Sequence, residues 1–180
     1  MRKSGFYFIM LLMIVSCAGF KNNDSMKMDK DNVKNITGTY RNLPATPGGF
    51  YVRTLSDVFD RNTNMFKWKE KYSHQNVIVK LELIKKNRLH VEIADSENFL
   101  FSKDLRVKLK KDGYLYLKEK RLMIDGIPLV FGGWNIQKSR FAIDADQNLI
   151  IQSNYFFCNG IFILMSDWKM FHYHLTFEKI

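Results

Sequence analysis

The sequence predicts an all-β chain, an antiparallel up-and-down meander of about 8–10 short strands with one short helix after the first strand. Three observations carry that prediction. Apolar and polar residues alternate with a period of two in Val77-Ile78-Val79-Lys80-Leu81-Glu82-Leu83 and in Leu105-Arg106-Val107-Lys108-Leu109-Lys110, as a strand with one buried face requires. Turn dipeptides recur at hairpin spacing, notably Asp112-Gly113 and Asn159-Gly160. Aromatic residues make up 14% of the chain, mostly Phe and Tyr, and these side chains favour strands over helices.

The folded part is expected to open at Ile36-Thr37-Gly38-Thr39-Tyr40-Arg41, and the Pro- and Gly-rich stretch Leu43–Gly49 then breaks it as a loop. Thr54-Leu55-Ser56-Asp57-Val58-Phe59 reads as a short helix: Leu55, Val58 and Phe59 share a face, and Thr54 with Asp57 has the spacing of a capping box. The polar stretch from Arg61 to Gln75 shows no clear period. The strand from Val77 turns near Lys86-Asn87 and returns through Leu89–Ile93, and Leu105–Lys110 returns through Tyr114–Leu117. Leu129–Phe131 runs into Gly132-Gly133-Trp134, where glycines predict a bulge or bend. Phe141–Ile143 and Leu149–Ile151 flank a turn at Ala145-Asp146-Gln147. Asn159-Gly160 predicts a hairpin pairing Tyr155–Cys158 with Ile161–Leu164, and Phe171–Phe177 closes the chain. A closed barrel would bury every strand edge; a two-sheet sandwich is the competing arrangement.

The N-terminus has a different character. Arg2 and Lys3 precede an apolar run from Phe6 to Val15, followed by the small residues Ser16-Cys17-Ala18. That order is a secretory signal, and the run is about half the length a bilayer-spanning helix needs. Ile14-Val15-Ser16-Cys17 resembles the bacterial lipobox. The resemblance implies cleavage before Cys17 and acylation of Cys17 with palmitate-type chains, which tether the protein to a membrane. Ala18 in place of Asp resembles the pattern that sorts lipoproteins to the outer membrane, anchored there facing the periplasm, with surface display as the alternative. Residues 1–16 are then a signal peptide, 17–35 a lipidated Cys with a polar flexible tether, and 36–180 the domain. Loss of Arg2 and Lys3 lowers the net charge from +10 to +8. Only Cys158 would remain as a thiol, so no intramolecular disulfide could form, and stability must come from the apolar core.

Gly38-Thr39-Tyr40 stands where the calycin superfamily, the lipocalins and fatty-acid-binding proteins, places a Gly-x-Trp on its first strand. The chain resembles these proteins in order as well: first strand, helical segment, then a meander. The resemblance implies a lipocalin-like barrel that binds a small apolar ligand without catalysis. Phe171-His172-Tyr173-His174 lacks the Arg-x-Tyr with which fatty-acid-binding proteins hold a carboxylate.

Tyr40, Trp134, Tyr155, Phe157, Phe162 and Trp168 are the candidate cavity lining, since a small barrel can enclose one molecule. A barrel filled by those aromatics and docking an envelope protein is the alternative function. His172 and His174 share a strand face as an H-x-H pair can when it binds zinc, with His74 and His90 as further candidates, but the pattern reads better as ordinary strand histidines and no metal is assigned. Asp144-Ala145-Asp146-Gln147-Asn148 begins like a calcium loop, yet Leu149 and Tyr155 occupy the positions that need Gly and Glu, so it reads as a turn. The basic segment from Lys103 to Arg121 reads as the solvated face of a sheet, or as a surface for anionic lipid or an acidic partner. Export argues against nucleic acid as a partner despite the pI near 9.6. No nucleophile elbow, phosphate loop or metalloprotease helix occurs, so neither a catalytic residue nor a cofactor is assigned.

Overall fold

The computed structural model of the chain describes Phe20, residues 27–60, Tyr72, 76–95, 98–119, 121–127, 131–161 and 165–180; for 121–127, 131–134, 159–161 and 165–167 the backbone alone is described. Cys17, Phe162, His74 and most of the stretch from Arg61 to Gln75 lie outside the described residues, as does the run before Phe20.

A 3-10 turn at Val33–Ile36 leads into β1 (Gly38–Arg41). After a loop and the single described α-helix, α1 (Leu55–Phe59), come β2 (Val77–Lys85), β3 (Arg88–Asp95), β4 (Asn98–Leu109) and β5 (Leu115–Leu117). The chain finishes with β6 (Arg121–Ile127), β7 (Phe131–Ile143), β8 (Leu149–Ile161) and β9 (Met165–Phe177). The nine strands among the described residues form one antiparallel sheet in chain order, with β5 and β6 lying one after the other along the same side of β7. It is a single curled half-barrel, so the sandwich alternative falls away.

The curl brings the two ends of the sheet together. Arg41 N–H donates to the Glu178 carbonyl and Ile180 N–H to the Thr39 carbonyl, both at 2.9 Å, and Ala45 N–H donates to Thr176 at 2.9 Å. These bonds give the edge groups of β1 partners, which an open edge would leave to solvent or another chain. Inside lie Val77, Val79 and Leu81 of β2, Leu89, Val91 and Ile93 of β3, and Leu105 and Val107 of β4. The intervening Arg106 and Lys108 face solvent, as the alternation predicts.

The helix forms for the expected reason. Thr54 Oγ1 accepts from Asp57 N–H while the Asp57 carboxylate accepts from Thr54 N–H, the reciprocal capping box. Asn42, only 2% exposed, adds a tertiary clamp: its side-chain oxygen accepts from Ser56 N–H and its carbonyl from Leu55 N–H. This presses Leu55, Val58 and Phe59 into the barrel, where the Phe59 ring stacks on Phe141 with centroids 5.6 Å apart.

Three expectations need correction. Asn159-Gly160 is not a hairpin turn: both residues lie inside β8, Gly160 opposite Gly132 and Ser166, and Tyr155 pairs with Phe171. The β7–β8 turn sets the register of that hairpin, and its ladder of 13 residues runs unbroken through the local turn signal to Ile161. Gly132 and Gly133 make no bulge, because each pairs in register on both sides, Gly132 between Gly126 and Gly160. The ordered structure also starts before Ile36. Met28 is 5% exposed in the core, and its N–H donates to the Gly113 carbonyl at 2.8 Å. The polar composition of the segment hid this single anchoring side chain.

Tyr40 is fully buried on β1, and its hydroxyl donates to the Ile36 carbonyl at 2.9 Å. Burial pushes its phenol far above the ordinary value. Above pH of about 10 the unfolded chain therefore loses this proton while the folded chain keeps it, and stability falls. We expect Tyr40→Phe to cost about 1 kcal/mol at neutral pH. The gap between its urea midpoint and that of the wild type should narrow as pH rises through about 10–11, and a constant gap would contradict the assignment.

Candidate functional site

The pairing of β7, β8 and β9 writes the inner wall of the half-barrel as rows of three. Ile143, Leu149 and Phe177 form one row and Phe141, Ile151 and Leu175 the next, all buried in the apolar core. Above them the wall changes character. Ser139, Ser153 and Tyr173 make the third row, Gln137, Tyr155 and Phe171 the fourth, and Asn135 and Phe157 belong to the fifth. Strand alternation places all of these on the face that carries Phe141 and Leu175.

On β7 and β8 the upper rows bury polar side chains, Asn135, Gln137, Ser139 and Ser153, whereas Phe157, Phe171 and Tyr173 are partly buried. Ser139 and Ser153 hydroxyls bond to each other at 2.6 Å. Gln137 is 2% exposed, and neither its amide oxygen nor its amide nitrogen has a partner among the described residues; the same holds for the side-chain oxygen of Asn135, 4% exposed. A buried amide without a partner costs about 1–3 kcal/mol, so such groups mark places where a fold accommodates something besides packing.

A loop residue forms the other side. Tyr51, between β1 and α1, stacks on Tyr155 with centroids 4.1 Å apart and planes 14° from parallel, and lies 4.9 Å from Phe171 and 6.1 Å from Phe157. Its N–H donates to the Tyr173 hydroxyl at 3.2 Å. Gly49 lies so close to the Tyr173 ring that a Cβ there would come within 2.1 Å of it. The site is thus an aromatic cluster from β8, β9 and one loop beside an amide-lined stretch of β7.

The outer face of the same strands is locked by Arg140, 1% exposed. Its Nε donates to Gln152 at 2.8 Å, and its Nη1 donates to Asp112 at 3.2 Å and to the Tyr116 hydroxyl at 2.9 Å. The guanidinium also lies 3.8 Å from the Tyr114 ring centroid and 4.6 Å from that of Phe20. Tyr116 donates to Asp112; burial, with that bond second, pushes its phenol upward. Removing one member of a buried pair like this costs about 3–5 kcal/mol. The network holds β5, β7 and β8 in register behind the candidate site.

The predicted lining residues distribute unevenly. Tyr155, 1% exposed, and the partly buried Phe157 fall on the inner wall beside Tyr51. Tyr40 is inside too, but in the packed core with its hydroxyl committed to Ile36. Trp168 is on the outer face, 47% exposed, edge-on to Phe156 at 5.8 Å, so it does not share the wall with Tyr155. An even-numbered position on β9 opposes Cys158, whereas the wall takes the odd ones. Trp134 pairs with Ile124 and Cys158 through its backbone; its side chain, like Phe162, is outside the described residues.

His172 Nδ1 bonds to Asn154 at 2.8 Å, and His90 bonds to Asp104 and Ser102, so these rings have protein partners. Among the described residues no three metal-ligating side chains cluster. Asp144 accepts from the N–H groups of Asp146 and Asn148, as a turn residue does.

Sequence reasoning missed Gln137, Asn135 and Tyr51. A signal existed for the first two: they share parity with Phe141 and Ile143, so the face that is apolar at one end of β7 is amide-bearing at the other. Tyr51 carries no local sign of its stacking partner.

No family model, no curated protein and no solved structure matches the chain. The fold and wall by themselves define a curled antiparallel half-barrel with a polar-aromatic inner surface.

Replacing Gln137 with the isosteric but apolar Met should raise stability by about 1–3 kcal/mol, since it removes two unpaired amide atoms from a buried position. A urea midpoint above that of the wild type is the expected reading; a large fall would mean the amide is satisfied and structural.

Proposed function

We propose that the protein is an envelope lipoprotein, held in the outer membrane through acylated Cys17 and facing the periplasm, whose half-barrel binds a small amphipathic molecule without chemical conversion. The observation that carries the ligand reading is the amide of Gln137, without a partner among the described residues and buried beside the Tyr51, Tyr155 and Phe171 rings. A mostly apolar surface with a few convergent polar groups is the usual character of a small-molecule site. The aromatic cluster would take the apolar body, and Gln137 with Asn135 the single polar group, as both donor and acceptor. This differs from a purely apolar ligand, because an alkyl chain would leave the amide unpaired.

Support for the anchor comes from Ile14-Val15-Ser16-Cys17 after a short apolar run. Among the described residues no helix is long and apolar enough to cross a membrane. Several buried acyl chains would supply the attachment, each methylene adding about 0.8 kcal/mol.

Native mass spectrometry of the purified protein should show a co-purified molecule, and a dansyl-labelled medium-chain fatty amide should brighten on binding. Gln137→Met should weaken that probe about 5–10-fold, the worth of one hydrogen bond. Wild-type protein that is wholly apo and does not bind the probe would instead favour a filled barrel that docks a protein partner. Cys17→Ser should move the protein from the membrane fraction to the soluble one, with loss of the acyl mass from its N-terminal peptide.

A further inference from the structure

The chain near the anchor is seated on the domain at two points. Phe20 packs edge-on against Tyr116 with centroids 5.7 Å apart and lies over the Arg140 guanidinium. Met28 inserts into the core and bonds to Gly113, whose Cα is so close to Lys27 that an added Cβ would meet it at 2.4 Å. Both contacts fall on the hairpin that joins β4 to β5. Phe20 is three residues beyond Cys17, and three residues reach at most about 10 Å. If the chain is acylated at Cys17, the outer face at Tyr116 and Arg140 cannot stand far from the bilayer.

The surface brought there is basic. Lys27, Lys108, Lys110, Lys111 and Lys118 are all exposed on or beside this hairpin. Its acids are engaged: the Asp112 carboxylate accepts from Arg140 and Tyr116, and Glu119 pairs with Lys103 at 3.1 Å. Asp29 and Asp31, close to Lys27 in the chain, and Asp146, in the neighbouring β7–β8 turn, are exposed acids that oppose them. Lysine attraction to anionic headgroups decays over about 8 Å at physiological salt, a distance comparable with the reach from Cys17.

We infer that the β4–β5 hairpin and the outer face of β5 lie against the membrane surface, with this lysine group on anionic lipid headgroups. The inference rests on the anchor proposed above and goes beyond it by fixing which face of the domain meets the lipid.

The test uses the full-length chain, isolated from membranes and reconstituted in vesicles of phosphatidylethanolamine with phosphatidylglycerol. Thiol dyes are placed at Lys111→Cys and at Lys80→Cys, the latter on β2 further round the sheet, each with Cys158→Ala, and a headgroup-linked quencher is added. The dye at 111 should be quenched at least about threefold more than that at 80, and the difference should shrink in phosphatidylcholine vesicles, where lysines have no anionic partner. Equal quenching, or a difference indifferent to lipid charge, would overturn the inference. The mass of the N-terminal peptide separates the two failures: without an acyl group the anchor falls and this orientation with it, whereas an acylated protein with equal quenching loses the orientation alone.

Discussion

Everything distinctive about this protein follows from the register of one long hairpin, β7–β8. Its turn is held by Asp144, whose side chain accepts from the N–H groups of Asp146 and Asn148 while its own N–H donates to the Asn148 carbonyl at 3.0 Å. Gln147 at φ 66° completes the reversal. With that turn set, side chains alternate without a shift for 13 residues on each strand. A slip of one residue would exchange the faces. Arg140 would enter the apolar core and Phe141 would leave it.

The two faces then do different work. Outside, Arg140 needs a countercharge and hydrogen-bond acceptors because it is buried, and Asp112, Gln152 and the Tyr116 hydroxyl meet that need. The same group of rings receives Phe20, so the network that secures register also seats the N-terminal segment. Inside, the wall grades from Phe141 and Ile151 to Ser139 and Gln137. Packing dominates at one end, and unmet hydrogen-bonding capacity at the other. A protein selected for stability alone would fill those positions with apolar residues, so the buried amides are a departure from packing that the proposed ligand would account for.

The seat of Phe20 and the inward amides of Gln137 and Asn135 lie on opposite faces of β7. The segment nearest Cys17 approaches from the Arg140 side, and the amides of Gln137 and Asn135 face the barrel interior.

Much of this fold was legible in the chain because its determinants are local. Period-two alternation exposed β2, β3 and β4, Asp112-Gly113 supplied the positive φ of 79° that its turn requires, and Thr54 with Asp57 specified the helix start. What tertiary structure decided is non-local. Asn159-Gly160 carries a strong turn signal, yet the ladder with β7 keeps it extended, because a full set of backbone hydrogen bonds outweighs a dipeptide preference. Gln137 looks like a solvent-facing polar residue until the curl of the sheet and the loop bearing Tyr51 are in place. Phe20 and Met28 looked like part of a free tether until Tyr116 and Gly113 gave them somewhere to bind. The sequence by itself determined the strands, the principal turns and the lipobox resemblance, all properties of neighbouring residues. Register, the inward amides and the seat of the N-terminal segment arise from contacts between distant ones, which no local pattern encodes.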